Sequence, residues 1–162
     1  MPQLQHMRRS VRDKIVAALR SGEYAQTTGH LCKVFKEEED KEALRFCCLG
    51  VATVLSTKDG VPLAEITVTY WNWDDDGNRY MSRLFNGEGS FPPARVREWL
   101  GVPLVETMAQ QAWINAYEKT GYPYDVYFRT DGKVYGMAAL NDDDKTFAEI
   151  ADLLAMAEVS EG

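Results

Sequence analysis

The sequence predicts an α+β fold, a single compact domain over residues 1–162 with helices packed on a small antiparallel sheet. Three observations carry that expectation. Apolar residues recur at helical spacing near both ends, at Val11, Ile15, Ala18 and Leu19 and again after Thr146. Between them, AEITVTYW and YDVYFRTDGKVYGMAAL show the two-residue rhythm of strands beside Asp-Gly turns. No internal repeat or low-complexity linker divides the chain, and its 162 residues suit one core.

In chain order, residues 8–20 read as an amphipathic helix stopped by Gly22, where a left-handed conformation is wanted. EYAQTTGHLCK is polar and glycine-containing, hence a loop or a short extended piece. The acidic runs Glu37–Asp40, Asp74–Asp76 and Asp142–Asp144 read as solvated loops or helix starts. Residues 46–56 form a nearly all-apolar helix, in which Gly50 lets another backbone approach closely. Residues 64–71 then alternate as a strand, Asp76-Gly77-Asn78 turns, and NRYMSRLF returns as its partner. SFPPARVREWLG is a short helix with proline tolerated at its first turn and Gly101 at its end. A further helix is expected over 104–119, then a hairpin turning at Asp131-Gly132. Asn141 and Asp142 follow that hairpin directly. A last helix runs from 147 to 157, opened by a capping box between Thr146 and Glu149.

Composition restricts the partners. A net charge of −7 opposes broad non-specific binding to nucleic acid, so no nucleic-acid partner is expected. It permits a small anion in a locally basic pocket. No apolar stretch approaches the roughly 20 residues of a spanning helix, so no membrane partner is expected either. The polar, basic N-terminus and three cysteines point to a reducing, cytosolic compartment.

Patterns that would carry catalysis fail on inspection. Cys47 and Cys48 precede an apolar run, as a nucleophile at a helix start would. The only histidines, His6 and His30, both lie upstream, whereas papain-like amidopeptidases place theirs after the cysteine helix. Core packing is the better reading of the pair. Adjacent cysteines lack the gap that suits one tetrahedral zinc, and NWDDDGN lacks the closing glutamate of a calcium loop, so no metal is expected. Walker A and G-x-G-x-x-G elements are absent, and no cofactor is expected. What the chain has in quantity is aromatic rings beside polar loops. Trp71, Trp73 and Tyr24 can stack on a base, Gln26 and Thr28 can read its edge, and Arg20 and Arg45 can hold phosphates. Arg79 and Arg83 have the same chemistry, and the polar loop Tyr24–His30 is the expected centre of the pocket.

Four stretches, ALRSGEYAQTTGHL, RFCCLGVATVL, FPPARVREWLG and ALNDDDKTFAEIADLL, together resemble an uncharacterised family of small tailed-phage proteins from phages of actinobacteria. The resemblance implies an accessory phage protein acting in the host bacterial cytoplasm, and brings no reaction and no catalytic residues with it. The resulting expectation is a counter-defence protein that binds and sequesters a nucleotide-derived immune signal without hydrolysing it. A homo-oligomer is expected for such a pocket protein. The alternatives are a protein-interaction inhibitor of a host enzyme and a papain-like cysteine hydrolase.

Overall fold

A computed structural model describes residues 6–38, 41–102 and 125–161. The described elements run α1 (Arg9–Ser21), β1 (Ala25–Gln26), β2 (Cys32–Glu38), β3 (Lys41–Phe46), α2 (Cys48–Lys58), β4 (Glu65–Thr67), β5 (Asn72–Trp73) and β6 (Arg79–Phe85). They continue with α3 (Ala94–Leu100), β7 (Tyr127–Thr130), β8 (Lys133–Gly136), α4 (Met137–Asp142) and α5 (Phe147–Ala155). The fold is α+β. The helix expected over 104–119 lies outside the described residues.

Helix α1 turns Val11, Ile15, Val16 and Leu19 inward and stops at Gly22, whose φ is 78°. Its apolar stripe packs against α5, which buries Phe147, Ile150, Ala151 and Leu154. Arg12 secures the contact, its Nη1 donating to the carbonyls of Ala155 and Ala157 at 3.1 Å each, where α5 leaves its last carbonyls unpaired. The expected capping box is present, with Thr146 Oγ1 accepting from the Glu149 amide at 3.1 Å and Glu149 Oε1 from the Thr146 amide. Helix α2 is buried on most sides, from Cys48 to Thr53, because it is apolar nearly all round.

The larger sheet has the order β1-β3-β2-β6-β4, with β5 also pairing β6, and the smaller one is the β7–β8 hairpin. Pairing is antiparallel except between β1 and β3, which run parallel, so the sheet is mixed rather than wholly antiparallel. The β2–β3 hairpin is the main element the sequence pattern hides. Its register pairs Cys32 with Phe46 and Val34 with Leu44 on one face, and Lys33 with Arg45 on the other. Dense charges from Lys36 to Glu42 mask that alternation and read as a solvated loop. Two boundaries move for related reasons. Phe46 completes β3, so α2 begins at Cys48 rather than at 46. Met137–Asp142 is a short helix and no extension of the hairpin, so Asn141 and Asp142 end a helix instead of following a strand.

Gly50 meets the expectation made for it. A Cβ there would stand 1.8 Å from the Leu31 carbonyl oxygen, and both neighbours are buried main chain with no room to yield. We expect Gly50→Ala to lower unfolding free energy by about 3 kcal/mol or more, the range of severe overpacking. Urea denaturation checks it, and an unchanged midpoint would mean that α2 and the Leu31 main chain are not in contact.

Candidate ligand-binding site

The polar loop after α1 does not line a pocket with Arg45. Its side chains are spent inside the fold. Gln26 Nε2 donates to Asn141 Oδ1 at 3.1 Å and to the Lys145 carbonyl at 2.7 Å, while its Oε1 accepts from the Phe147 amide at 3.0 Å. Tyr24 packs edge-on against Phe46 with ring centroids 5.6 Å apart, and its hydroxyl accepts from Lys58 at 3.1 Å. Arg20 pairs with Asp152 at 2.9 Å across the α1–α5 surface. Thr28 is exposed. The expected site is therefore divided: Arg20, Tyr24 and Gln26 are bound into the helical side, while Arg45 and Trp71 meet elsewhere.

They meet on the sheet. Register places Lys33 and Phe35 of β2, Arg45 of β3 and Tyr80 and Ser82 of β6 on one face. The cations lie over the rings: Lys33 Nζ is 4.5 Å from the Tyr80 centroid and Arg45 Cζ is 4.6 Å from that of Phe35. At the margin, a hollow of about 290 Å³ is lined by Phe35, Lys36, Arg45, Trp71, Asn78 and Arg79. Arg79 Cζ lies 5.0 Å from the Trp71 ring and Lys36 Nζ 5.9 Å from the same ring. Trp73, opposite Arg79 in the β5–β6 pair, is 63% exposed beside it. An indole with cations near it can offer its free face to a planar group, and a guanidinium over a ring keeps its donors in its own plane for an anion. Of the lining residues, Lys36 and Asn78 are those the sequence did not single out, whereas Arg79 was named for its phosphate chemistry. The hairpin rhythm around Asn72–Tyr80 was the available signal, because it folds Trp71 back over Arg79.

A second hollow of about 290 Å³ lies among Gly29, Cys47, Ser90, Phe91, Ala138 and Asp142. Cys47 is the N-cap of α2, and its sulfur accepts from the Gly50 amide at 3.3 Å. Burial nevertheless pushes its thiol up to about 12, and burial likewise holds Cys48 well above the ordinary thiol range. Cys48 donates to the Met137 carbonyl at 3.2 Å. Both thiols are protonated core groups, which opposes a thiolate nucleophile. His30 stands edge-on to Tyr80 at 5.5 Å, and burial with the Lys33 charge holds it below its ordinary value against the pull of Asp142. Its Nδ1 is buried without a hydrogen-bond partner.

Beneath this hollow, Asp125 is fully buried and caps α4. Its Oδ1 accepts from the amides of Val126 at 2.7 Å and Ala138 at 2.8 Å, and its Oδ2 from Ala139 at 3.2 Å. Gly136 makes the approach possible, since a Cβ there would stand 2.4 Å from Oδ2. Burial outweighs those three donors and nearby Arg97, and pushes the carboxyl up to about 6.

These features define an α+β domain with a cationic, ring-lined sheet face on an acidic chain. The chain belongs to the family described as a domain of unknown function, DUF8296, whose model matches residues 7–158. No curated protein and no solved structure matches it. Among the described residues no helix is long and apolar enough to cross a membrane, and no cluster of three acidic, histidine or cysteine side chains is arranged to hold a metal.

Two outcomes follow from the buried groups. Cys47→Ala and Cys48→Ala should each cost about 1 kcal/mol or more, the scale for emptying a small core position. Iodoacetamide should label either thiol far more slowly in the folded chain than in urea, and rapid labelling of the folded chain would reveal an accessible thiolate. Asp125 should titrate near pH 6 by carboxyl-carbon NMR. Between about pH 4 and 6 the folded chain then keeps a proton that the unfolded chain has released. This group's contribution to stability accordingly falls by about 3 kcal/mol as pH rises through that window, and stays constant above it. A midpoint below the ordinary carboxylate range would show that the three amides win instead.

Proposed function

We propose that this protein binds an anionic ligand carrying a planar ring, of the nucleotide class, on its sheet face and holds it without chemical change. The observation that carries the reading is the Trp71 ring with Arg79 at 5.0 Å and Lys36 at 5.9 Å, in a hollow that also includes Arg45 and Asn78, on a chain whose net charge is −7. Lys36, Arg45 and Arg79 gather around this hollow, and a bound anion relieves their mutual repulsion there. The rings supply stacking, worth about 1–3 kcal/mol per base in other proteins. Asn78 supplies a donor and an acceptor for a base edge or a sugar hydroxyl. Retention without turnover fits the buried, protonated thiols of Cys47 and Cys48. Combined with the resemblance to small phage proteins, the biological role is sequestration of a nucleotide-derived immune signal in the host cytoplasm.

Calorimetric titration against a panel of cyclic and ADP-ribose-derived nucleotides tests this, with mass spectrometry of the recovered ligand. At least one panel member should bind with Kd below about 0.1 mM, or about −5.5 kcal/mol, and be recovered intact. Arg79→Ala and Trp71→Ala should each weaken it by about tenfold or more. Arg20→Ala, on the far side of the fold, should leave the affinity unchanged. Failure of every panel member to reach that affinity removes the proposal, and equal binding by all variants moves the site elsewhere.

A further inference from the structure

The β5–β6 end of the sheet carries exposed apolar surface that the ligand site does not use. Two of the four exposed large apolar side chains among the described residues are aromatic and belong to this end, Tyr70 at 65% and Trp73 at 63%, whereas Ile66 pairs with Leu84 at the opposite end of β6. Exposed aromatic side chains clustered in this way mark contact surfaces in soluble proteins.

The same end of the sheet carries both signs of charge in fixed places. Asp74 is used within the turn, its Oδ1 accepting from the amides of Asp76 at 3.0 Å and Asn78 at 2.8 Å. The turn closes further through Gly77, at φ 81°, whose amide donates to the Asp74 carbonyl at 3.1 Å. Asp75 and Asp76 are thereby held outward and exposed. Immediately across the hairpin stand Trp73 and Arg79, paired in register, with Lys36 near the same Trp71 ring as Arg79. Lys36 and Arg79 are exposed as well.

A partner for this surface must bury aromatic rings and match an acidic tip with a basic ledge a few residues away. A two-fold contact requires that one patch carry both complementary halves. This patch does. We propose that two copies of the chain associate through it, with Trp73 near the two-fold axis and Asp75–Asp76 of each copy against Lys36 and Arg79 of the other. The turn is ordered before contact, so little chain entropy is lost on docking. The contact places acidic groups where the proposed anionic ligand would sit, so ligand and second copy compete for Lys36 and Arg79. That competition rests on the ligand reading. The dimer itself does not.

Sedimentation equilibrium of the whole chain without ligand tests the dimer alone. Wild type should show a monomer–dimer equilibrium with Kd below about 0.1 mM, weakened by added salt. Trp73→Ala should weaken it by about tenfold or more, the effect of losing a central aromatic anchor. Arg79→Asp and Asp76→Arg should each be monomeric alone, because each sets like charges against each other. Mixed in equal amounts they should form a heterodimer, since both contacts then pair opposite charges. A monomeric wild type overturns the proposal and leaves the patch to a different partner. A dimer indifferent to Trp73→Ala, or two reversals that do not rescue each other, overturns it too. If the dimer forms as expected but no nucleotide dissociates it, the ligand reading fails while the dimer stands.

Discussion

Much of the helical side depends on one buried amide, Asn141. It is fully enclosed, and its Oδ1 accepts from the Cys48 amide, in the first turn of α2, and from Gln26, each at 3.1 Å. Its Nδ2 donates to the Thr27 carbonyl at 2.7 Å. Gln26 extends the network to the Lys145 carbonyl and the Phe147 amide, which open α5. Two side chains thus satisfy main-chain groups at the start of α2, the start of α5 and the end of β1. Each group, if orphaned in the interior, would cost about 1–3 kcal/mol, so the network specifies where three elements meet. Asp142, next in sequence, adds a bond to the Gly29 amide at 3.0 Å and fixes the loop leading to β2.

That network explains what could be read in the sequence and what could not. Helices α1, α3 and α5 were readable because their signals are local: a 3.6-residue stripe, a glycine just past the end and a capping box each act within a few residues. Gly50 was readable because a glycine inside an apolar helix calls for a close neighbour, and Leu31 is that neighbour. The β7–β8 turn was readable from Asp131 and Gly132, both at positive φ. Strands β2 and β3 were not, because their identity rests on which partner covers each face. Lys33 is 6% exposed although it is a lysine, covered in the sheet with its ammonium over Tyr80. No pattern along the chain announces a buried lysine, since its shelter comes from residues far away in sequence.

The candidate site divided for the same reason. Gln26 and Tyr24 look like ligand groups when read as a string, since a polar loop between two regular elements commonly binds something. What this loop binds is its own protein. Arg45 and Trp71 line one hollow because the hairpins on either side bring them together, and the same folding adds Lys36, Asn78 and Arg79 to its lining. Hydrogen-bonding residues carry no label for self or ligand. Only the bonds each side chain already makes separate the two uses, and Asn141 and Gln26 each make three inside the fold.

The two sides of the molecule consequently do different work. On the helical side, neutral amides make directional bonds to main chain, and the buried Asp125 carboxyl is held by its neighbour Val126 and by two amides at the start of α4. On the sheet side, cations rest on rings at 4.5–5.9 Å, contacts that are favourable but weakly directional and open to rearrangement. A guanidinium over an indole can slide by an ångström at little cost, whereas an amide bonded three ways cannot move without orphaning a partner. Rigidity therefore resides where elements meet, and adaptability resides where charge faces solvent. A surface that must accept an anion, or an acidic turn from a second copy, is better built from the second kind of contact. The first kind then fixes where β1, α2 and α5 meet while the rings and cations on the sheet adjust.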